Sequence, residues 1–181
     1  VRLDNTVIYE DYKGYEDPLR KHHTSSVTRD IWMYVPSIDP SEGFRIDGNG
    51  TFTKLTSFNG EDRNPVFELG GTAYYYLSEQ DGTLNIYYTD SLHDQLFNGG
   101  SIKSKQITFY KGNPVRYLSI SHNGTLCYSY DGELYTIKSG GQPEKVNIRI
   151  VTDQIEKESE IQTLTSGATR MQLYKLLYLN I

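Results

Sequence analysis

The chain has 181 residues, enough for one domain with a sizeable core, and its formal net charge is −5. Acidic and basic residues are interspersed, with no basic stripe and no run of about 18 apolar residues, which excludes a nucleic-acid footprint and a membrane-spanning helix. Tyrosine and glycine are abundant, at 16 residues each, and this pairing predicts an all-β protein with many tight turns.

The first predicted strands flank a long insertion at residues 13–28. Val7-Ile8-Tyr9 precedes the insertion, and Ile31-Trp32-Met33-Tyr34 follows it. Exposed loops on a rigid scaffold often carry recognition, and a mixture of aromatic and basic side chains suits contact with a peptide or protein. The insertion is therefore a candidate binding loop, with cover for a blade edge as the favoured interpretation. Its candidate residues are Tyr12, Tyr15, Arg20, Lys21, His22 and His23.

The same segment contains residue types that can act in catalysis or bind metal. Ser25 or Ser26 with His23 and Asp30 could supply a nucleophile, a base and an orienting carboxylate, but no Gly-x-Ser-x-Gly turn is present. The adjacent histidines lack nearby partners for a metal, since a site needs three or four converging ligands. We therefore predict no catalytic residue, no metal and no cofactor. For Asp30 we expect hydrogen bonds to backbone amides of a neighbouring turn, and for Trp32 a place between two sheets.

Further short strands follow, separated by Asn-Gly and Asp-Gly dipeptides that tolerate the positive φ of hairpin turns. The predicted strands contain Pro65-Val66-Phe67, Ala73–Leu77, Leu84–Tyr88, Lys105–Phe109, Val115–Ile120, Leu126–Tyr130 and Glu133–Ile137. The lone Cys127 lies in an alternating apolar strand, which predicts a packing role rather than a reactive one.

These strands repeat along the chain. Leu55 and Ile107 occupy matching positions, and Asn-Pro-Val recurs at residues 64–66 and 113–115. Four short strands in each unit of roughly 40–50 residues are typical of β-propeller blades, which must stack to bury both faces. The sequence thus predicts an all-β partial propeller of about three four-stranded antiparallel blades plus a C-terminal fragment. The expected blades lie at residues 1–57, 64–109 and 114–148, and residues 149–181 form a linker and the start of a truncated blade.

The repeat Asn-Pro-Val-Phe, Gly-Thr-x-Tyr-Tyr-Tyr-Leu-Ser, Asp-Gly-Thr-Leu-Asn-Ile-Tyr, Lys-Gln-Ile-Thr resembles the WD40-like repeats of TolB-type propellers. The segment at residues 15–32, with its His-His-Thr-Ser-Ser-Val-Thr-Arg-Asp-Ile-Trp stretch, resembles the N-terminal propeller region of bacterial tricorn-type serine peptidases. The resemblance covers roughly residues 5–170. It implies a non-catalytic propeller module that binds or gates peptides for a separate C-terminal PDZ and serine peptidase part.

The resemblance also implies an extracytoplasmic location in a bacterium. The chain begins with Val1, and its tail at residues 170–181 departs from the family pattern, so we expect a processed or truncated product. The alternative function is a self-standing protein–protein interaction propeller of the cell envelope, closed by homo-oligomerisation. A propeller enzyme with a site in its central channel is the weakest alternative, because no cluster of carboxylates or histidines recurs at matching blade positions.

Overall fold

A computed structural model of the protein describes residues 5–15, 27–37, 50–90, 92 and 103–151. The first sheet has the order β1 (Val7–Glu10), β2 (Ile31–Val35), β3 (Thr51–Lys54). The second has the order β4 (Asp62–Phe67), β5 (Tyr74–Ser78), β6 (Asn85–Thr89), β7 (Ser104–Gln106). The third has the order β8 (Arg116–Ile120), β9 (Leu126–Tyr130), β10 (Glu133–Ile137), β11 (Glu144–Lys145). All strand pairs are antiparallel.

These sheets confirm the predicted fold class, an all-β architecture consistent with a partial propeller. The turn between β9 and β10 shows how the sequence produces it. Asp131 and Gly132 both have positive φ, at 51° and 78°, as a two-residue type I′ hairpin loop requires. No helix in the described part of the chain is long and apolar enough to cross a membrane.

The sheets repeat one another in their hydrogen bonds as well as in their order. The amide nitrogens of Leu55, Ile107 and Val146 each donate, over 2.8 Å, to the carbonyl oxygens of Ile31, Ile86 and Leu134, respectively. The three strands of the first sheet therefore correspond to the second, third and fourth strands of the other two sheets.

The two Asn-Pro-Val tripeptides, at residues 64–66 and 113–115, do not occupy equivalent places in the second and third sheets, so the match expected from the sequence is wrong here. Asn64 lies inside β4 with a φ of 54° and begins a β-bulge, and the residue with the same geometry in β8 is Tyr117, whose φ is 56°. Asn113 and Pro114 precede β8 instead. Proline is tolerated both in a bulge and just before a strand, so the same tripeptide fits two different places.

Two apolar layers hold the three sheets together. Between the first and second sheets lie Ile31, Met33, Leu55, Tyr74, Tyr76, Tyr87 and Leu92. Between the second and third sheets lie Leu77, Leu84, Ile86, Val115, Leu118, Leu126, Tyr128 and Ile137. Strand β4 packs against both β1 and β8, so the second sheet is central. In both layers, tyrosines of the sheet that comes later in the chain pack against aliphatic side chains of the sheet before it.

The chain divides into two compact units, Val1–Asn147, which contains all three sheets, and Ile148–Ile181. The second unit is described only for residues 148–151, which are exposed and have no regular secondary structure. The predicted start of a further blade beyond residue 151 lies outside the described residues.

Tyr117 provides a test of backbone strain at the bulge. Its side chain is 78% exposed and its φ is positive, a conformation that strains any residue with a Cβ. We expect Tyr117→Gly to be more stable than Tyr117→Ala by about 1 kcal/mol, because both remove the ring and only glycine relieves the strain. Urea unfolding followed by circular dichroism measures the difference, and equal stabilities would contradict the strained geometry.

Candidate binding surface

The predicted binding loop is described at both of its ends, residues 11–15 and 27–30. Tyr12 is 69% exposed and Tyr15 is 82% exposed, so two of the six candidate residues present aromatic rings to solvent. Arg20, Lys21, His22 and His23 lie outside the described residues, as do Ser25 and Ser26. The structure therefore places the base of the loop and two of its aromatic side chains.

Backbone and side-chain hydrogen bonds join the two ends of the loop. The amide nitrogen of Asp11 donates to the carbonyl oxygen of Asp30 over 3.0 Å. In return, the Asp30 amide nitrogen donates to Asp11 Oδ1 over 2.7 Å. Asp11 Oδ2 also accepts the indole Nε1–H of Trp32 over 3.2 Å. Tyr12 follows directly in sequence and so projects from a fixed point.

Asp30 is held by two lysines. Its carboxylate forms a short contact with Lys13 Nζ and lies 2.9 Å from Lys54 Nζ, while Lys13 also donates to the carbonyl oxygen of Thr28 over 2.7 Å. Burial alone would lower the pKa of Lys13, but the hydrogen bond and charge of Asp30 raise it above its usual range. The carboxylate of Asp30, expected to accept hydrogen bonds from turn amides, is thus paired with lysines. In the second sheet Asn85 has the expected role, since its Oδ1 accepts the Tyr110 amide over 2.9 Å.

Arg29 links the loop to the second sheet. Its guanidinium Nη1 lies 2.7 Å from Glu10 Oε1, and its amide nitrogen donates to Glu61 Oε2 over 3.3 Å. The same guanidinium lies 5.9 Å from the centroid of the Tyr12 ring, within the range of a cation–π contact. Tyr12 is therefore exposed on one side and supported by a positive charge on the other.

A carboxyl group with a strongly shifted pKa lies next to this network. The pKa of Asp62 is raised to about 7, chiefly by burial; hydrogen bonds from Ser78 and Thr56 oppose this rise, and the nearby charges of Asp30 and Glu61 add to it. Asp62 is only 1% exposed, and its Oδ1 has no hydrogen-bond partner. A shifted pKa often marks a catalytic group, but this carboxyl has no access to a substrate.

The described part of this surface presents two aromatic rings to solvent, those of Tyr12 and Tyr15. Exposed tyrosines supply large, rigid faces with a polar tip, which suits binding to extended polypeptide. Within the described ranges, no three histidine, cysteine or acidic side chains converge to hold a metal ion. Cys127, predicted to pack, is half-buried on β9.

Sequence reasoning missed most of the supporting network. The residues concerned are Glu10, Asp11, Lys13, Arg29, Lys54, Glu61 and Arg63. They come from separate strands and loops, and each in isolation resembles an ordinary surface charge. The only available signal was the density of charge on both sides of the insertion.

The chain is similar to known proteins in structure but not detectably in sequence. No protein-family model matches the chain, and no curated protein matches it either. Among solved structures, the chain is similar to tricorn protease, with a TM-score of 0.58 and 18% sequence identity over 86% of this chain. The match spans 13% of the tricorn protease chain. At this identity, the likeness establishes a related fold for the sheets described here.

Proposed function

We propose that this chain is a non-catalytic β-propeller module of a tricorn-like serine peptidase, in an extracytoplasmic compartment of a bacterium, and that it binds or gates peptide or protein substrates. The observation that carries the proposal is the pair of exposed tyrosines, Tyr12 and Tyr15, on a loop base held by ion pairs and hydrogen bonds. The related fold of tricorn protease supports the peptidase context.

The physical argument is one of preorganisation. A side chain that is already fixed loses little conformational entropy on binding, so its contact area contributes more fully to affinity. Tyr12 meets this condition through Arg29 and Asp11, and its outer ring face stays open.

Binding of an unfolded polypeptide tests the proposal. The probe is fluorescently labelled, reduced and alkylated lysozyme, titrated with the full chain and followed by fluorescence anisotropy. We expect Tyr12→Ser/Tyr15→Ser to weaken binding about tenfold, the effect of losing one or two interface anchors. Mass spectrometry of the probe after long incubation should show no cleavage.

A matched control is Phe109→Ser, which removes an aromatic ring that is exposed elsewhere on the protein. It should leave the affinity unchanged. Equal losses in the tyrosine and phenylalanine variants would mean nonspecific adhesion. Cleavage of the probe by the purified chain would point to an enzyme instead.

A further inference from the structure

The internal repeat identifies a core position where an ionisable side chain replaces an apolar one. Strand register and the shared bulge make Asp62, the first residue of β4, equivalent to Val115, which directly precedes β8. Both residues are buried, at 1% and 0% exposed. Their amide nitrogens make the same backbone bond, to the carbonyl oxygens of Arg29 and Leu84, over 3.0 and 2.9 Å. The fold therefore builds this contact around valine as well, and does not need the carboxyl of Asp62 for it.

The carboxyl of Asp62 is poorly satisfied where it lies. Its Oδ1 has no hydrogen-bond partner, although the hydroxyls of Ser78 and Thr56 hydrogen-bond to the carboxyl. Two further carboxyl groups are buried nearby, those of Asp30 and Glu61, at 3% and 4% exposed, and both would repel an ionised Asp62. A buried carboxylate in such surroundings costs far more free energy than the valine of the next sheet.

The charged and titratable groups around Asp62 offer it no compensation. The four cations of this region are paired with the neighbouring carboxylates, Lys13 and Lys54 with Asp30, and Arg29 and Arg63 with Glu61. Among the described side chains, none of these four forms an ion pair with Asp62. The second sheet adds three phenols that interact with it, those of Tyr74, Tyr76 and Tyr87. Burial raises the pKa of each phenol above its ordinary value of 10.0, so all three stay neutral near pH 7.

Asp62 is bonded to the segment that closes the candidate binding loop. The amide nitrogen of Arg29 donates to Glu61 Oε2 over 3.3 Å, next to the bond between the Arg29 carbonyl oxygen and the Asp62 amide. The amide nitrogen of Ile31 donates to Thr56 Oγ1 over 2.9 Å, and the Thr56 hydroxyl in turn hydrogen-bonds to the Asp62 carboxyl. A change at this carboxyl therefore reaches the loop base through direct hydrogen bonds.

We propose that Asp62 is a proton-operated switch for the loop base: the base stays closed while the carboxyl is protonated, and ionisation of the carboxyl releases it. Opening lets water reach the carboxylate and relieves its repulsion by Asp30 and Glu61, so the opened form favours the ionised state. The loop base is fixed at mildly acidic pH and loosens as pH rises to neutral. The consequence for affinity, namely weaker binding of polypeptide at higher pH, rests on the proposed function.

The direction of the switch follows from linkage. Burial raises the pKa of Asp62 to about 7 in the closed form, and a hydrated carboxyl in the opened form returns toward the ordinary value of 3.8. Between these values the closed form holds a proton that the opened form has released. The opening constant therefore rises with pH, by up to about tenfold per pH unit, and levels off above about pH 7.

Amide hydrogen exchange of the full chain, resolved by NMR, measures this opening. The Asp11 amide, which donates to the Asp30 carbonyl oxygen, reports on the loop base, and the amides of β9 inside the third sheet report on global unfolding. After correction for intrinsic exchange, protection of the Asp11 amide should fall roughly tenfold or more between pH 5 and pH 7, and should stay below that of β9. Trp32, the only tryptophan, donates to Asp11, so its emission should shift to longer wavelength over the same range.

Two variants remove the ionisable group. Asp62→Asn and Asp62→Val should abolish the pH dependence of both readouts, and Asp81→Asn, which removes an exposed carboxyl, should retain it. Identical pH profiles in the wild type and Asp62→Asn would overturn the proposal. Equal protection of Asp11 and β9 at every pH would also overturn it, because the only opening would then be global unfolding. If the valine variant does not unfold cooperatively, the asparagine variant decides alone.

Binding of the labelled, reduced and alkylated lysozyme probe adds a functional readout. Between pH 5.5 and pH 8, the affinity of the wild type should fall roughly twofold or more, because a smaller fraction of the chain has its loop base closed. The affinity of Asp62→Asn should change less, and an equal fall in both proteins would break the link between the switch and binding. Absence of probe binding at every pH would reject the proposed function, whereas hydrogen exchange and Trp32 emission would still decide on the switch.

Discussion

Asp62→Asn should make the protein more stable at and above neutral pH and should remove much of the pH dependence of its stability. The carboxyl of Asp62 is buried between the first two sheets, and burial raises its pKa from 3.8 to about 7. The folded state therefore holds a proton that the unfolded state releases. Between these two pKa values, the free energy of unfolding falls as pH rises, and above about pH 7 it levels off.

The size of the effect follows from the pKa difference. About three pKa units correspond to a loss on the order of 4 kcal/mol between acidic and neutral pH. The asparagine variant cannot ionise, so its stability should exceed that of the wild type by a few kcal/mol at pH 8 and by little at pH 4. Urea unfolding of both proteins at several pH values measures this, with matching pH profiles as the result that would contradict it.

Asp81→Asn is the matched control. Asp81 is exposed, and a hydrogen bond from Lys111 Nζ, 2.7 Å from Asp81 Oδ2, lowers its pKa. A lowered pKa affects stability in the opposite direction. The small stabilisation that Asp81 contributes is present at neutral pH and is lost as pH falls through the pKa of its folded state. The control variant should therefore be slightly less stable than the wild type at pH 8, and a gain there would mean that the Asp62 result reflects general charge removal.

Strand positions could be predicted because the information for them is local. The apolar run Ala73–Leu77 and the Asp131-Gly132 turn each depend on a few adjacent residues, and the structure confirms a strand at the first, β5, and a tight hairpin turn at the second. Repetition then predicted the propeller class, because a four-stranded sheet with two apolar faces must stack on others. The aromatic and aliphatic layers between the sheets arise because successive side chains of a strand point to opposite faces of its sheet.

The equivalence of Asn64 with Asn113 failed because a bulge cannot be seen in a sequence match. Both β4 and β8 contain the bulge, and backbone φ pairs Asn64 with Tyr117 rather than with Asn113, which lies before β8 begins. The predicted boundaries near residues 57 and 64 also left out Asp62, since Glu61-Asp62-Arg63-Asn64 is a fully polar run that resembles a loop.

The supporting network of the binding surface was beyond sequence reasoning for a similar cause. Glu10 and Glu61 are far apart in the chain, and only the packing of β1 on β4 brings both to Arg29. The exposed tyrosines of the loop were predictable from composition, whereas the charges that fix them depend on tertiary contacts. Charged residues in a sequence do not reveal which of them will be buried together.

Asn64→Ala should destabilise the protein by about 3 kcal/mol, because Asn64 joins the central sheet to the third sheet. Its Nδ2 donates to the carbonyl oxygen of Leu118 over 2.9 Å, and its Oδ1 accepts the Leu118 amide over 2.8 Å. Alanine removes both bonds, leaves two backbone groups of a buried residue without these partners, and adds strain at a φ of 54°.

Asn64→Gly separates these contributions. Glycine loses the same two hydrogen bonds but adopts positive φ freely, so it should be more stable than alanine by about 1 kcal/mol and still less stable than asparagine. Both variants retain the backbone bond from the residue-64 amide to Glu10 Oε2, which is 2.6 Å long in the wild type. Urea unfolding should therefore rank the three proteins asparagine, glycine, alanine. A glycine variant as stable as the wild type would mean that Asn64 is present for its backbone conformation, and that the packing of β4 on β8 holds the two sheets together without the side-chain bonds.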